Sequence, residues 1–140
     1  MRVLIGVDGS EAGEQALRYG LDLARRLGAD TTVLHVLEEP PISSYTALVT
    51  GLSVDAARER VRALGLETIA RAEERAREAG VTVEVKLLDG LPADVLLGEG
   101  AKSDLIVVGT HGYRGMDRVL LGSVAETLVR RSSVPVLVVR

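Results

Sequence analysis

Aspartate, glycine and serine residues follow two apolar segments of the chain, and their chemistry suits a ligand that carries hydroxyls and phosphates. Asp8 ends an apolar run near the N-terminus, where a carboxylate can accept hydrogen bonds from sugar hydroxyls. Gly109 and Gly112 follow a second apolar run. Glycines let backbone amides approach phosphate oxygens without a side chain in the way. We therefore expect a ribose and phosphate site at these two positions.

A further phosphate contact is expected at Gly122 and Ser123, near the start of the last predicted helix. The free amides and the positive dipole end of a helix N-terminus bind anions. An alternative stays open, because Ser123 and Glu126 form a capping-box pattern in which they satisfy the helix amides themselves. Asp8 likewise has an alternative role as a cap for the turn that follows it.

The elements that must position these residues alternate between strand and helix. Apolar runs predict strands, and apolar residues at helical spacing predict helices. The predicted strands are residues 3–7, 31–37, 81–88, 105–108 and 134–139. The predicted helices run from the Ser10 cap to the Gly28 stop and over residues 52–79, 91–101 and 119–131, with a loop over 40–50. The inner stripe predicted for the long helix is Val54, Ala57, Val61, Leu64, Thr68, Ala72 and Ala76.

This alternation predicts an α/β fold, because near-continuous apolar strands separated by helices form a parallel sheet covered on both faces. Right-handed crossovers then produce a doubly wound, three-layer, Rossmann-like sandwich. Open sheets of this kind bind ligands beyond the carboxyl ends of their strands, where the winding reverses. The first and fourth strands carry Asp8 and Gly109 at those ends, so we expect their loops to face one crevice.

The motifs resemble those of the universal stress protein family, in particular its ATP-binding branch. The family signature of glycine, two residues, glycine, nine residues, glycine and serine stands complete as GTHGYRGMDRVLLGS, and VDGS, HVLE and SSVPVLVV also resemble the family. The likeness covers residues 1–140 as one domain. It implies an adenine nucleotide alpha hydrolase-like fold with five parallel strands in the order 3-2-1-4-5.

The resemblance also implies ATP as the ligand and gives the residues individual roles. Asp8 would contact the ribose, and the backbone around Val7 and Val36 would lie along the edge of the adenine ring. Mg²⁺ or Mn²⁺ would arrive on the nucleotide phosphates and not in a protein cage. The predicted nucleotide-binding residues are Val7, Asp8, Val36, Val108, Gly109, Gly112, Gly122, Ser123 and Val124.

The last predicted strand indicates self-association. The order implied by the family makes residues 134–139 an edge strand, yet Val136 to Val139 are all apolar. An exposed apolar edge pairs with another chain unless something covers it, and Pro135 is compatible with an edge position. The resemblance implies a homodimer through this strand, and a helix that covers the edge is the alternative.

Composition excludes several other classes of protein. The chain has no cysteine, so disulfides, thiolate catalysis and cysteine zinc sites are ruled out. The net charge of -3 does not provide the basic surface that nucleic-acid binding needs. No apolar run approaches the roughly 18 residues of a membrane span. The first residues read as a strand and not as a signal peptide, so we expect a cytoplasmic protein.

Four functions can be compared with the sequence, and two of them do not fit it. We expect a dimeric, ATP-dependent sensor that acts on a regulatory protein partner in a stress response, without catalytic residues of its own. A slow ATPase or another phosphate-transferring enzyme is the alternative, although the GxxxxGK[ST] motif is absent. A phospho-receiver would need an acidic cluster and a lysine that are missing, and a member without nucleotide binding would not need the intact motif. The motif does not separate ATP from AMP, ADP or a cyclic nucleotide.

Side chains around the motif are expected to be secondary. His111 has no orienting partner nearby in sequence, so we do not expect it to be a general base, and His35 is expected to be structural. Arg114 and Arg118 are either solvated or within reach of phosphate, and Tyr113 is expected on the loop surface.

Overall fold

Strands and helices follow one another much as the sequence predicts in residues 1–111 and 121–140, which the computed structural model describes. The strands are β1 Arg2–Val7, β2 Asp30–Leu37, β3 Val83–Asp89, β4 Leu105–Gly109 and β5 Val136–Val139. The helices are α1 Glu11–Leu27, α2 Ser44–Thr50, α3 Val54–Glu78, α4 Pro92–Gly100 and α5 Ser123–Arg131.

The five strands form one parallel sheet in the order β3-β2-β1-β4-β5, as predicted. β1 lies at the centre, with Val7 opposite His35 of β2 and Val3 opposite Leu105 of β4. The winding reverses between β1 and β4, so the residues that follow these two strands emerge side by side.

The central strands β1 and β4 are buried on both faces, which confirms the three-layer sandwich. Val3 and Ile5 of β1 pack with α1 and α3 on one face, whereas Leu4 belongs to a second cluster with α4 and α5 on the other. Because successive side chains of a strand point to opposite faces, a strand buried on both sides must be apolar at every position. This explains the unbroken apolar runs in the sequence.

Helix α1 begins and ends at the residues that the sequence predicts. The Ser10 side chain caps it by accepting a hydrogen bond from the Gly13 amide at 3.1 Å. Gly28 ends it in the left-handed conformation, with φ of 59°. This φ is costly for a residue with a Cβ but not for glycine.

Helix α2 corrects the prediction of a loop over residues 40–50. The Ser43 side chain caps it by accepting from the Thr46 amide at 3.0 Å, and Gly51 ends it with φ of 72°. The sequence signal is weak because Tyr45, Val49 and the threonines have low helix propensity. In the sequence, this helix is indicated by its two capping residues and not by the helix propensities of the residues between them.

Helix α3 confirms only part of its predicted inner stripe. Thr68, Ala72 and Ala76 are buried, but Leu64 is 49% exposed. Gly65 contacts Leu37, the last residue of β2, so the residues before Gly65 extend past the carboxyl edge of the sheet. The other predicted positions, Val54, Ala57 and Val61, are accordingly only half-buried, and Gly65 and Ile69 are the further buried residues.

Several predicted boundaries differ from the structure by one or more residues. β3 begins at Val83 and β5 at Val136, each two residues later than predicted. The last helix was predicted from residue 119, but Leu121 and Gly122 are not helical, and Gly122 is extended, with φ of -64° and ψ of 157°. None of the helices in the described ranges is long and apolar enough to cross a membrane.

Candidate functional site

Asp8 lies at the carboxyl end of β1, where its carboxylate organises the turn into α1. Its Oδ1 atom accepts hydrogen bonds from the Ser10 amide at 3.0 Å and from the Ser10 hydroxyl at 2.5 Å. Gly9 turns the chain with φ of 81°. Asp8 therefore has the capping role that the sequence left open. Both of these bonds use Oδ1, so this role and contact with a ligand through Oδ2 are compatible.

Gly13 is a site residue that sequence reasoning missed. A Cβ atom at this position would lie 2.6 Å from Asp8 Oδ1 and 3.3 Å from the Ser10 hydroxyl oxygen. The absence of a side chain thus admits the carboxylate against the first turn of α1. The available signal was a glycine three residues inside a helix, where it costs about 1 kcal/mol relative to alanine and so indicates a close approach.

Gly109 ends β4 and packs directly against α1. A Cβ atom there would lie 2.7 Å from both the carbonyl carbon and the carbonyl oxygen of Ala12. The first turn of α1 therefore contacts Asp8 on one side and Gly109 on the other. This confirms that the ends of β1 and β4 adjoin, and it gives Gly109 a packing role that the sequence did not predict.

Gly122 and the Thr110–His111 backbone come together, as the spacing of the motif predicts. The Gly122 amide donates to the Thr110 carbonyl oxygen at 2.7 Å. A Cβ atom on Gly122 would lie 3.0 Å from the His111 Cα atom and 3.1 Å from that carbonyl oxygen. The chain thus returns from Gly109 to the start of α5. Gly112, Tyr113, Arg114 and Arg118 lie outside the described residues.

The capping box predicted for Ser123 and Glu126 is wrong. Gly122 is the N-cap residue, and its carbonyl oxygen accepts the Glu126 amide at 2.9 Å, so Ser123 is already the first helical residue. Gly122 has no side chain, so the N-cap residue of α5 provides no side-chain cap. The first amides of a helix lack intrahelical acceptors, so Ser123 and Val124 present donors beside Thr110 and His111.

Three of the four predicted valines have buried side chains, so only their backbone is available to a ligand. Val7, Val36 and Val108 are at most 9% exposed and belong to the cores on the two faces of the sheet. The His35 Nδ1–H group donates to the Val7 carbonyl oxygen at 2.9 Å, which confirms the structural role expected for His35.

His111 has an orienting neighbour that the sequence did not reveal. Its Nδ1 atom lies 2.9 Å from the Thr110 hydroxyl oxygen, and the side chain is half-buried. Within the described residues, no cluster of three or more histidine and carboxylate side chains could hold a metal ion. The donors at this edge are amides and hydroxyls, which suit an anion.

A surface cavity of ≈ 640 Å³ lies on the same edge of the sheet but further along, beyond β2 and β3. Leu37, Pro40, Val61 and Leu91 contribute its apolar walls, and Arg58 and Glu39 form an ion pair at its side. Its described lining does not include Asp8, Gly109 or Gly122. The convergence of the motif residues, and not this cavity, therefore defines the candidate site.

Comparison with known proteins assigns the fold and motif to a family. The model of the universal stress protein family matches residues 1–140. The chain belongs to the universal stress protein family. It is 32% identical to universal stress protein MJ0531 of Methanocaldococcus jannaschii, covering 99% of this chain and 81% of that protein. It is 33% identical to universal stress protein YxiE of Bacillus subtilis, covering 99% of this chain and 98% of that protein.

Two solved structures of this family share the fold. The universal stress protein UspA from Lactobacillus plantarum superposes with a TM-score of 0.86 at 20% identity, over 100% of this chain and 97% of that one. A universal stress protein in complex with cAMP superposes with a TM-score of 0.75 at 27% identity, again over 100% and 97% of the two chains.

Proposed function

We propose that this universal stress protein binds ATP at the carboxyl edge between β1 and β4, and that the bound nucleotide regulates its interaction with a protein partner. The family carries the general assignment, and a relative of known structure was solved with an adenine nucleotide, cAMP. The intact glycine motif favours a nucleotide with several phosphates, because its two halves supply amide donors from separate segments.

The single observation that carries the proposal is the open start of α5 beside the loop that follows β4. The Gly122 amide bonds to Thr110, and the next amides, those of Ser123 and Val124, begin a helix that receives no side-chain cap from its N-cap residue. Helix amides and the helix dipole together favour a phosphate at this point.

Five of the predicted residues have roles in this proposal that fit their contacts. Asp8 would accept hydrogen bonds from ribose hydroxyls through Oδ2, while Oδ1 keeps its hydrogen bonds from Ser10. Gly109 and Gly122 act by close packing, which brings the loop and the helix start together, and Ser123 and Val124 supply the donors. The remaining members of the predicted set are Val7, Val36, Val108 and Gly112.

A divalent cation would be held mainly by the nucleotide. Apart from the Asp8 carboxylate, which this proposal gives to the ribose, the groups on this edge are amides and hydroxyls that hold phosphate, whereas Mg²⁺ and Mn²⁺ prefer carboxylates, carbonyls and water. When bound with ATP, the cation would neutralise phosphate charge, and the chain would orient the nucleotide around it.

We further propose that two copies pair through β5. The strand lies at the edge of the sheet, and all four of its apolar residues are only half-buried. The Pro135 and Val139 carbonyl oxygens accept bonds from β4. Since these groups alternate along a strand, the N–H and C=O groups of Val136 and Val138 face the open edge. A second copy would pair there.

Calorimetric titration with ATP, AMP, cAMP and adenosine tests the nucleotide assignment. We expect ATP to bind and adenosine to bind more weakly, because adenosine lacks the phosphates. Asp8→Ala removes the ribose contact and should weaken all four ligands. Ser10→Ala is the matched control, because it disturbs the same turn and leaves the carboxylate in place. Absence of ATP binding to the wild-type protein would refute the proposal, and phosphate release in the same samples would favour the slow ATPase.

A further inference from the structure

Helix α2 presents its apolar side chains to solvent. Tyr45, Leu48 and Val49 share one face at helical spacing and are 76%, 83% and 66% exposed. Leu52, just after the helix, is 54% exposed. We call these four residues the α2 stripe. Globular proteins normally turn such a stripe towards the core, so α2 is oriented the opposite way.

The side of α2 that faces inward carries small side chains. Ala47, which lies across the helix from the stripe, is half-buried, and no residue of α2 is fully buried. Ser43 and Gly51 cap the two ends, so the helix is already formed with the stripe facing outward. A preformed helix with an exposed apolar face is suited to docking.

The charge pattern distinguishes among possible occupants. Residues 40–54 contain no charged side chain, although charged residues make up 26% of the chain. Helices that lie on membranes carry lysine and arginine on their polar face, and α2 has none. In a two-fold symmetric contact, each residue near the axis meets its own copy, so a charge there would face a like charge. A charge-free stripe therefore fits a second copy of this chain.

We propose that the α2 stripe is a self-association surface, in which α2 of one chain packs antiparallel against α2 of a second chain. The pairing places Leu48, near the middle of the stripe, beside the partner's Leu48. Stable interfaces bury about 800 Å² on each side, and a stripe of four residues offers less. The contact is therefore weak and concentration-dependent, and it lies on a different part of the molecule from β5.

Because the chain has no cysteine, single cysteines test this contact directly. Leu48→Cys should form a disulfide-linked dimer under mild oxidation, read on a denaturing gel. Thr50→Cys is the matched control, because Thr50 belongs to the same exposed helix but lies across it from the stripe. Thr50→Cys should give at least about tenfold less covalent dimer than Leu48→Cys. A tenfold ratio corresponds to a free-energy preference of about 1.4 kcal/mol for the contact at Leu48.

Sedimentation velocity provides a test without a covalent bond. Leu48→Asp should remove the weak species that form beyond the β5 dimer as the concentration rises, whereas Thr50→Asp, with the same charge on the same helix, should keep them. Equal crosslinking of the two cysteine variants, or no crosslinking of either, would overturn the proposal. Either result would also follow if the stripe folds into the chain's own cavity beyond β2 and β3, or if it serves a different protein. Neither measurement depends on added nucleotide, so the ATP proposal and this one can fail separately.

Discussion

Replacing Ser123 by proline removes one amide donor at the start of α5 with little effect on the helix. Proline is favoured at the first helical position, because the amide there has no intrahelical acceptor. The residue before a proline must be extended, and Gly122 already is, with φ of -64° and ψ of 157°. Ser123 is exposed, so the proline ring has room. We therefore expect a folded protein with unchanged circular dichroism.

The same change should weaken ATP binding strongly. A hydrogen bond to a charged group contributes about 1.5–3 kcal/mol, and each 1.4 kcal/mol is tenfold in affinity. Loss of the Ser123 amide should therefore raise the ATP dissociation constant by roughly 10- to 150-fold in calorimetric titration. Adenosine, which has no phosphate, should bind as it does to the wild-type protein.

Ser123→Ala is the control, because it deletes the hydroxyl and keeps the amide. It should cost about 0.5–1.5 kcal/mol, typical of a neutral hydrogen bond. If the proline and alanine variants bind ATP equally, the α5 amide does not contact phosphate. If the proline variant loses adenosine to the same extent as ATP, the change acts through the fold, and the reasoning is again refuted.

Three other changes test the packing and charge of the molecule. Val138→Pro should abolish the proposed β5 dimer in sedimentation at low protein concentration, where the weak α2 contact does not form, while keeping the fold, because it removes an N–H on the open edge; a dimer that persists at low concentration would contradict that interface. Gly109→Ala should lower the free energy of unfolding by about 1–3 kcal/mol in urea, because its Cβ meets the Ala12 backbone, whereas Gly98→Ala, with open space around it, should not. Hydrogen bonds from Lys102 and Lys86 lower the pKa of Glu99 from its ordinary 4.5. The stability that Glu99 adds over Glu99→Gln should be complete above pH 4.5 and decline as the pH falls further, and a constant difference down to pH 2 would refute this.

The sequence was sufficient to predict the sheet because its signal is periodic and redundant. Every strand buried on both faces must be apolar throughout, and the glycine spacing selected one family and hence one strand order. Features set by a single contact escaped prediction. The close packing of Gly13 against Asp8 and of Gly109 against Ala12 is seen only in the structure, although the motif had already marked Gly109 as a site residue. The outward face of α2 could not be predicted, because an apolar stripe alone indicates burial.

The starts of the helices show how one fold separates stability from binding. Ser10, Ser43 and Ser53 each cap a helix with a hydroxyl, which satisfies an amide and contributes about 1 kcal/mol. Gly122, at the equivalent position of α5, provides no such bond. A serine there would also place its Cβ 3.0 Å from the His111 Cα atom, so the close return of the loop and the missing cap have the same cause. The N-cap residue of α4, Leu91, also provides no side-chain cap, and Pro92 opens that helix. Of these two helices, it is α5 whose start adjoins the loop after β4, and an anion bound there would accept hydrogen bonds from its first amides.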